Sequence, residues 1–361
     1  MTKRFELLRA TPAAAVLAAG LGAGGAATAQ ETVQASIVSG FSPSVAVVKI
    51  MQEVFMPRTN EILAENGNNY QVEWQEAFSG TLAKPGGELE AVETGLADVG
   101  AIVTAIHSDK LPLYSIGYVT PFTTTDLVLI HEVMDDLTEE YPAFRESWEP
   151  FNQVPLSVSG IGDNYILCSR EPIESTDDID GLKVTGIGPN LRWVQPMGAA
   201  GVNGSLGDFY QLVETGVADA MLVWGEAVVS LKYYEVCSNY YDARLGGANA
   251  YVISVNQQAW DSYPEEVQQA MTTAAQEFGV AIGEFSHEMG AKAREIVKEN
   301  GGQVTEITDE EREAWAETLP DIAGEWAGRL EEQGIPAEAI LDDYMQAMRD
   351  AGAPAVRDWD E

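Results

Sequence analysis

Histidine is scarce in this chain of 361 residues: His107, His131 and His287 are the only three, and none sits in an H-E-x-x-H, H-x-H or Cys/His pattern. That removes the usual metal ligands and leaves a hydrolase without an evident base. Cysteine is scarcer still, with Cys168 and Cys237 alone and no C-x-x-C, so neither looks catalytic. Their surroundings, YILCSRE and YEVCSNY, read as a strand and a helix end, and a disulfide between them is left open. Basic residues are few, 20 against 57 acidic ones for a formal charge of −37, a balance that repels nucleic acid and anionic lipid. Glycine-rich catalytic turns fall short as well. Asn203-Gly204-Ser205-Leu206-Gly207 misses the first position of G-x-S-x-G, and the segments opening at Gly160 and Gly186 lack the third glycine of a dinucleotide loop. No D-x-[DN]-x-[DN]-G calcium loop is present, and no metal or cofactor is expected.

What is present begins with a leader. Lys3, Arg4 and Arg9 precede a small-residue apolar stretch from Pro12 to Ala27, and Ala27-Thr28-Ala29 offers an A-x-A cleavage site. The expectation is a signal peptide over 1–29 and a soluble mature chain over 30–361 in the periplasm. No segment is long and apolar enough to read as a membrane span. Removing Lys3, Arg4, Arg9 and Glu6 with the leader leaves 56 acids and 17 bases, a formal charge of −39. A surface so charged favours a hydrated monomer.

The heptapeptide VETGLAD at Val92–Asp98 returns as VETGVAD at Val213–Asp219. In each copy a helical apolar pattern ends at a glycine and a buried strand follows, VGAIV in one and AMLVW in the other, which is the corner of an α/β layer. Two copies predict two lobes. Parallel strands with helical crossovers account for the remaining apolar runs, with a helix over 44–63 and a strand at 248–256 able to return to the first sheet. A capping box at Ser262 and Glu265 opens a stripe running to Asn300-Gly301-Gly302, a helix of about 57 Å unless Gly279 or Gly283 bends it. Two amphipathic helices follow, one opened by Thr308 and Glu311 and one over 336–348. The expected division is 30–157 with 247–286 as lobe 1, and 158–246 with 287–361 as lobe 2 and C-terminal helices, a two-lobed α/β architecture.

The stretch from Arg170 to Trp224, REPIESTDDIDGLKVTGIGPNLRWVQPMGAAGVNGSLGDFYQLVETGVADAMLVW, resembles the DctP-type extracytoplasmic solute-binding proteins of TRAP transporters. Glu90–Asp98 and the l-P-F-like connection Leu111–Phe122 are similar to that family's first lobe. The resemblance implies an α/β two-lobed periplasmic binding protein fold whose lobes close over a small organic solute, with hinge-crossing strands, a long lobe-spanning helix, no covalent chemistry, and delivery to the transporter's membrane subunits. Where relatives carry G-L-K-[IV]-R, with an arginine for the solute carboxylate, this chain reads Gly181-Leu182-Lys183-Val184-Thr185. Thr185 cannot supply a bidentate cation. Arg192 is the candidate replacement, weighed equally against a surface arginine paired with acids. Phe41, Trp74, Phe78, Trp193 and Trp224 are candidates for an apolar cleft wall, although each alone reads more readily as core, and Thr104, Tyr165 and Glu226 are candidate polar contacts. The expected solute is a small organic compound with an apolar or ring portion, with an aromatic or apolar monocarboxylate as the candidate and a zwitterion left open. An ABC-transporter receptor stays open as an alternative, as does, less favoured, a secreted enzyme.

Overall fold

The computed structural model describes residues 30–353 and 355–361; the leader read at 1–29 lies outside them. In chain order the strands are β1 (Glu31–Val38), β2 (Tyr70–Ala77), β3 (Val99–Val103), β4 (Gln153–Ile161), β5 (Tyr165–Ser169), β6 (Lys183–Gly186), β7 (Ala200–Asn203), β8 (Ala220–Trp224), β9 (Asn239–Asp242), β10 (Ala248–Asn256) and β11 (Gln303–Glu306). They form a five-stranded sheet of order β2-β1-β3-β10-β4 and a six-stranded one of order β11-β9-β5-β8-β6-β7. β1 is parallel to β2 and β3, β6 is parallel to β7 and β8, and β10 runs antiparallel to both its neighbours. β3, β5, β8 and β10 are buried along their whole length, which is why they read as unbroken apolar or small-residue runs rather than alternating ones.

The duplicated heptapeptide marks equivalent corners. Helices Glu88–Glu93 and Leu206–Glu214 end before Gly95 (φ +69°) and Gly216 (φ +74°), left-handed positions that glycine adopts without strain. The aspartate closing each copy then fastens the corner to the adjacent strand. Asp98 accepts from the Ser36 N–H of β1 at 2.7 Å, and Asp219 accepts from the Lys183 N–H of β6 at 3.0 Å.

The helix expected over 44–63 consists of Ala46–Ile50, a π-helical turn Met51–Phe55, and Met56–Glu65. Pro57 explains the break: it lacks the N–H that an α-turn needs, and a wider turn accommodates the gap.

The chain passes between the sheets three times. β4 pairs with β10 as far as Ile161, so the chain leaves the first sheet at 162–164, a few residues beyond the boundary drawn from sequence. It returns between β9 and β10, and crosses again along helix Glu265–Glu299 into β11, which pairs with β9. Those 35 residues extend about 52 Å. Gly279 and Gly283 do not interrupt this helix; they admit the His131 ring and the Val128 and Leu127 side chains to its surface. Gly290 lies against Asp163 and against the backbone of Gly225, at the start of helix Gly225–Ser230. The helix thus packs on both sheets.

Its start differs from expectation. Ser262 ends the short helix Gln257–Ser262 and donates to the Ala259 carbonyl, so Pro264 stands at the N-cap and the Ser262/Glu265 box does not form. The Thr308/Glu311 box does form. The helices after it are tied down by indoles: Trp315 donates to the Trp193 carbonyl at 2.8 Å, Trp326 to Pro112 at 2.9 Å, and Trp359 to Pro121 at 2.8 Å. Cys168 of β5 and Cys237 form a disulfide across a separation of 69 residues. A crosslink of that span restricts the unfolded chain by about 4 kcal/mol on loop-entropy grounds.

Candidate functional site

A cavity of about 470 Å³ opens where the two sheets face each other. The first-sheet wall comes from Phe41 after β1, Val103 at the end of β3, and Ile106. Opposite are Ile187–Pro189 after β6, Asn203 at the end of β7, and 204–208 at the start of helix Leu206–Glu214. Tyr118, Ile161 and Tyr251 line it near the crossings. Parallel strands end on this cavity from both sides, which is where α/β sheets place ligands.

Its chemistry is mainly apolar. Among the described residues Asp208 is the one acid on the lining, and no Lys, Arg or His joins it. The Ser205 hydroxyl donates to Asp208 at 2.6 Å and the Ser205 N–H at 3.1 Å, and these bonds hold the carboxylate below its usual range. Ser205, met in the sequence as part of a broken nucleophile turn, is thereby engaged as a helix cap. The Tyr118 hydroxyl is pushed up to about 12 by burial and lies 3.0 Å from that of Tyr165, so both stay protonated.

The candidates from the sequence are dispersed. Phe41 lines the cavity. Behind Tyr118 stands a layer of buried rings: Trp193 stacks on Tyr118 at 5.9 Å, Tyr165 meets Trp193 edge-on at 5.2 Å, and Trp224 lies 5.5 Å from Tyr165. Trp193, Tyr165 and Trp224 stiffen the tyrosine without lining the cavity themselves. Trp74 packs on Phe55 and donates to the Met56 carbonyl, Phe78 is buried in the core, and Thr104 donates to Ala250 of β10. Glu226 is buried and accepts from Trp224 Nε1 at 3.0 Å, Ser230 at 2.5 Å and the Ala46 N–H at 3.2 Å. Burial outweighs those donors and raises its pKa, and the contact with Ala46 joins the second sheet's helix to the first lobe.

Among the described residues, buried Thr185 has no partner for its hydroxyl, and neither amide atom of buried Asn190 has one. Neither lines the cavity itself: Thr185 stands on β6 and Asn190 directly after Gly188-Pro189, which does line it. Arg192 lies beyond that loop, on the lining of a separate cavity of about 460 Å³, with Nη2 2.6 Å from Glu325. Tyr118, Tyr251, Asn203, Asp208 and Asn190 were not singled out in the sequence. The first two belong to apolar segments, Asn203 opens the stretch read as a failed catalytic turn, and Asp208 lies just past it in the helical pattern of the second VETG copy. Among the described residues no group of three or more His, Cys, Asp or Glu is arranged to hold a metal ion.

The family model described as bacterial extracellular solute-binding protein, family 7 (DctP), matches residues 60–329, well over half of the chain. The chain belongs to the DctP family. A solute-binding protein of Chromohalobacter salexigens is 26% identical over 193 residues, 53% of this DctP-family chain and 54% of the relative, so the match spans about half of that relative's length. Among solved structures, a TRAP solute-binding protein from Rhodoferax ferrireducens with copurified benzoate matches at a TM-score of 0.77 and 15% identity, covering 89% of this chain and 98% of its own. One from Bordetella bronchiseptica with bound (R)- and (S)-mandelate gives 0.74 and 20% identity, over 88% and 99%. Both have the two-lobed fold of this DctP-family member.

Proposed function

We propose that this chain is the periplasmic receptor of a TRAP transporter, a monomer that captures a small organic acid between its lobes and hands it to the membrane subunits. The observation that carries this reading is the cavity itself. Its walls come from both sheets, so a solute inside touches both lobes at once and favours the closed arrangement over the open one.

The finer reading is an aromatic or apolar monocarboxylate. Phe41, Val103, Ile106, Tyr118, Ile161 and Tyr251 offer apolar area for such a body. The two neighbours described above hold benzoate and mandelate, solutes of that kind. The lobes are assigned as 30–157 with 247–286 and 158–246 with 287–361, with β4 carrying the first sheet on to Ile161, and are hinged where β4 and β10 approach the second sheet. Phe41 and Thr185 are assigned to the ligand's surroundings, Arg192 to its charge, and Trp193, Trp224, Tyr165, Trp74, Phe78, Thr104 and Glu226 to the frame behind the wall.

The test is a thermal-unfolding screen of ligand-stripped protein against aromatic and branched monocarboxylates, dicarboxylates, zwitterions and neutral compounds. A ligand at a hundred times its Kd stabilises the native state by about 2.7 kcal/mol, a readily measured rise in Tm. Monocarboxylates are expected to give the largest rise. A rise confined to neutral or cationic compounds would refute the monocarboxylate reading, and no saturable response from any class would refute the receptor reading.

A further inference from the structure

The cavity between the lobes reaches Gly188-Pro189. On the far side of that loop lies the second cavity, of about 460 Å³, and the two share Ser108, Tyr118, Gly188 and Pro189 on their linings. They are chambers of similar size divided by one loop and one tyrosine. The first chamber has a carboxylate and no cation. The second carries Arg192 and, from helix Ile322–Glu331, Arg329. In a chain with 57 acids and 20 bases, two arginines on one cavity wall are a local reversal of the surface's sign.

Both guanidinium groups retain free capacity. Arg192 pairs with Glu325 through Nη2 alone, and both side chains of that pair are substantially exposed. Arg329 donates Nε–H to the Glu325 carbonyl at 3.3 Å and makes no ion pair among the described residues. Asp109 also lines this chamber, which keeps its net charge close to neutral until an anion arrives. An exposed arginine–glutamate pair is weak enough for an incoming carboxylate to share or displace it, whereas a planar carboxylate on two arginines makes several charge-assisted bonds. Trp326 borders the same space, and its donation to the Pro112 carbonyl fixes the helix bearing Arg329 against the first lobe.

We infer that the bound solute is an elongated amphipathic carboxylate, its apolar body in the first chamber and its carboxylate on Arg192 and Arg329 in the second. The inference rests on the receptor reading and adds a second arginine, a second chamber and a length requirement. It also explains how the chain accommodates Thr185 in place of a basic residue: the anion is met beyond the loop instead of on β6. The solute class is an aryl or branched-alkyl acid with a spacer between the apolar end and the carboxylate.

The experiment is isothermal titration of wild type and of R192Q/R329Q with benzoate, 4-phenylbutyrate and 4-phenylbutanamide. Both substituted side chains are exposed, so the double variant is expected to fold, as its unliganded Tm would verify. The expected result is that wild type binds 4-phenylbutyrate about tenfold or more tightly than benzoate or the amide, and that the double variant loses this advantage while its binding of the amide is unchanged. Equal affinity of both proteins for 4-phenylbutyrate, or no gain of 4-phenylbutyrate over benzoate in wild type, would overturn the two-chamber reading and leave the receptor reading intact. If the broad screen finds no solute of any class, the receptor reading fails and this one falls with it.

Discussion

Asp163 is an acid placed where an acid is costly. It sits in the crossing between β4 and β5, facing Gly290 of the long helix, with one carboxylate oxygen unpartnered, and burial pushes its pKa up to about 7 from an ordinary 3.8. The native state therefore retains a proton between about pH 4 and 7 that the unfolded chain has lost. Stability from this group is complete below about pH 4, falls by about 1.4 kcal/mol per pH unit as pH rises through that window, and levels off above it. Asp163→Asn, which mimics the protonated form, is expected to match wild type near pH 4 and exceed it at pH 8 by up to about 4 kcal/mol in urea unfolding. A variant less stable than wild type at pH 8 would mean that the ionised carboxylate is favoured there. Sequence could not have singled this residue out from 56 other acids, because its cost comes from Gly290, which is 127 positions away. Phe41 was legible for the opposite reason: a strand ending at Gly40 places the next side chain at the sheet's rim. Asn190 and Tyr251 needed the folded wall to be noticed.

At the scale of elements, strongly periodic or continuously apolar segments were readable, and so was the long helix. β7, β9 and β11 were not, because AGVN, NYYD and QVTE are four residues each and owe their extended form to a neighbour rather than to pattern. The role of the long helix's glycines was also invisible, since a glycine that bends a helix and one that lets another chain approach look alike in a sequence. Space separates the cases. At Gly290 a Cβ would lie 2.4 Å from the Asp163 carboxylate, whereas at Gly328, in helix Ile322–Glu331, it would meet nothing within 4 Å. Gly290→Ala is expected to destabilise by about 1–3 kcal/mol through overpacking despite its better helix propensity. Gly328→Ala should stabilise by about 0.5–1 kcal/mol. Chemical denaturation of the pair decides the matter, and equal effects of both substitutions would show that close packing at Gly290 is unimportant.

For the whole molecule the receptor reading requires motion between lobes that are joined three times and bridged by Glu226 and Ala46. Movement about such a joint is a rotation at the strand ends near Ile161 and Ala248, with each sheet kept intact. An authentic solute should reduce the radius of gyration in small-angle scattering, and the unliganded protein should become more compact only when solute is added. Saturable binding with an unchanged scattering curve would exclude closure as the signal that a transporter detects. The high negative charge makes moderate salt advisable in that measurement, because screening separates compaction from weakened interparticle repulsion.

The position of β10 between β3 and β4 also sets an order of assembly. As the chain lengthens from its amino end, the first sheet has β1, β2, β3 and β4 available early but lacks the strand that belongs between β3 and β4, and those two cannot pair with each other without excluding it. The strands β5 to β9 form one unbroken stretch from Tyr165 to Asp242 and can find their partners before residue 248 exists. Five of the second sheet's six strands are thus able to pair first, with β11 added at its edge later, and the first sheet is completed by a late insertion that closes a long loop. A chain built this way delays its own cleft until nearly three quarters of it has been synthesised.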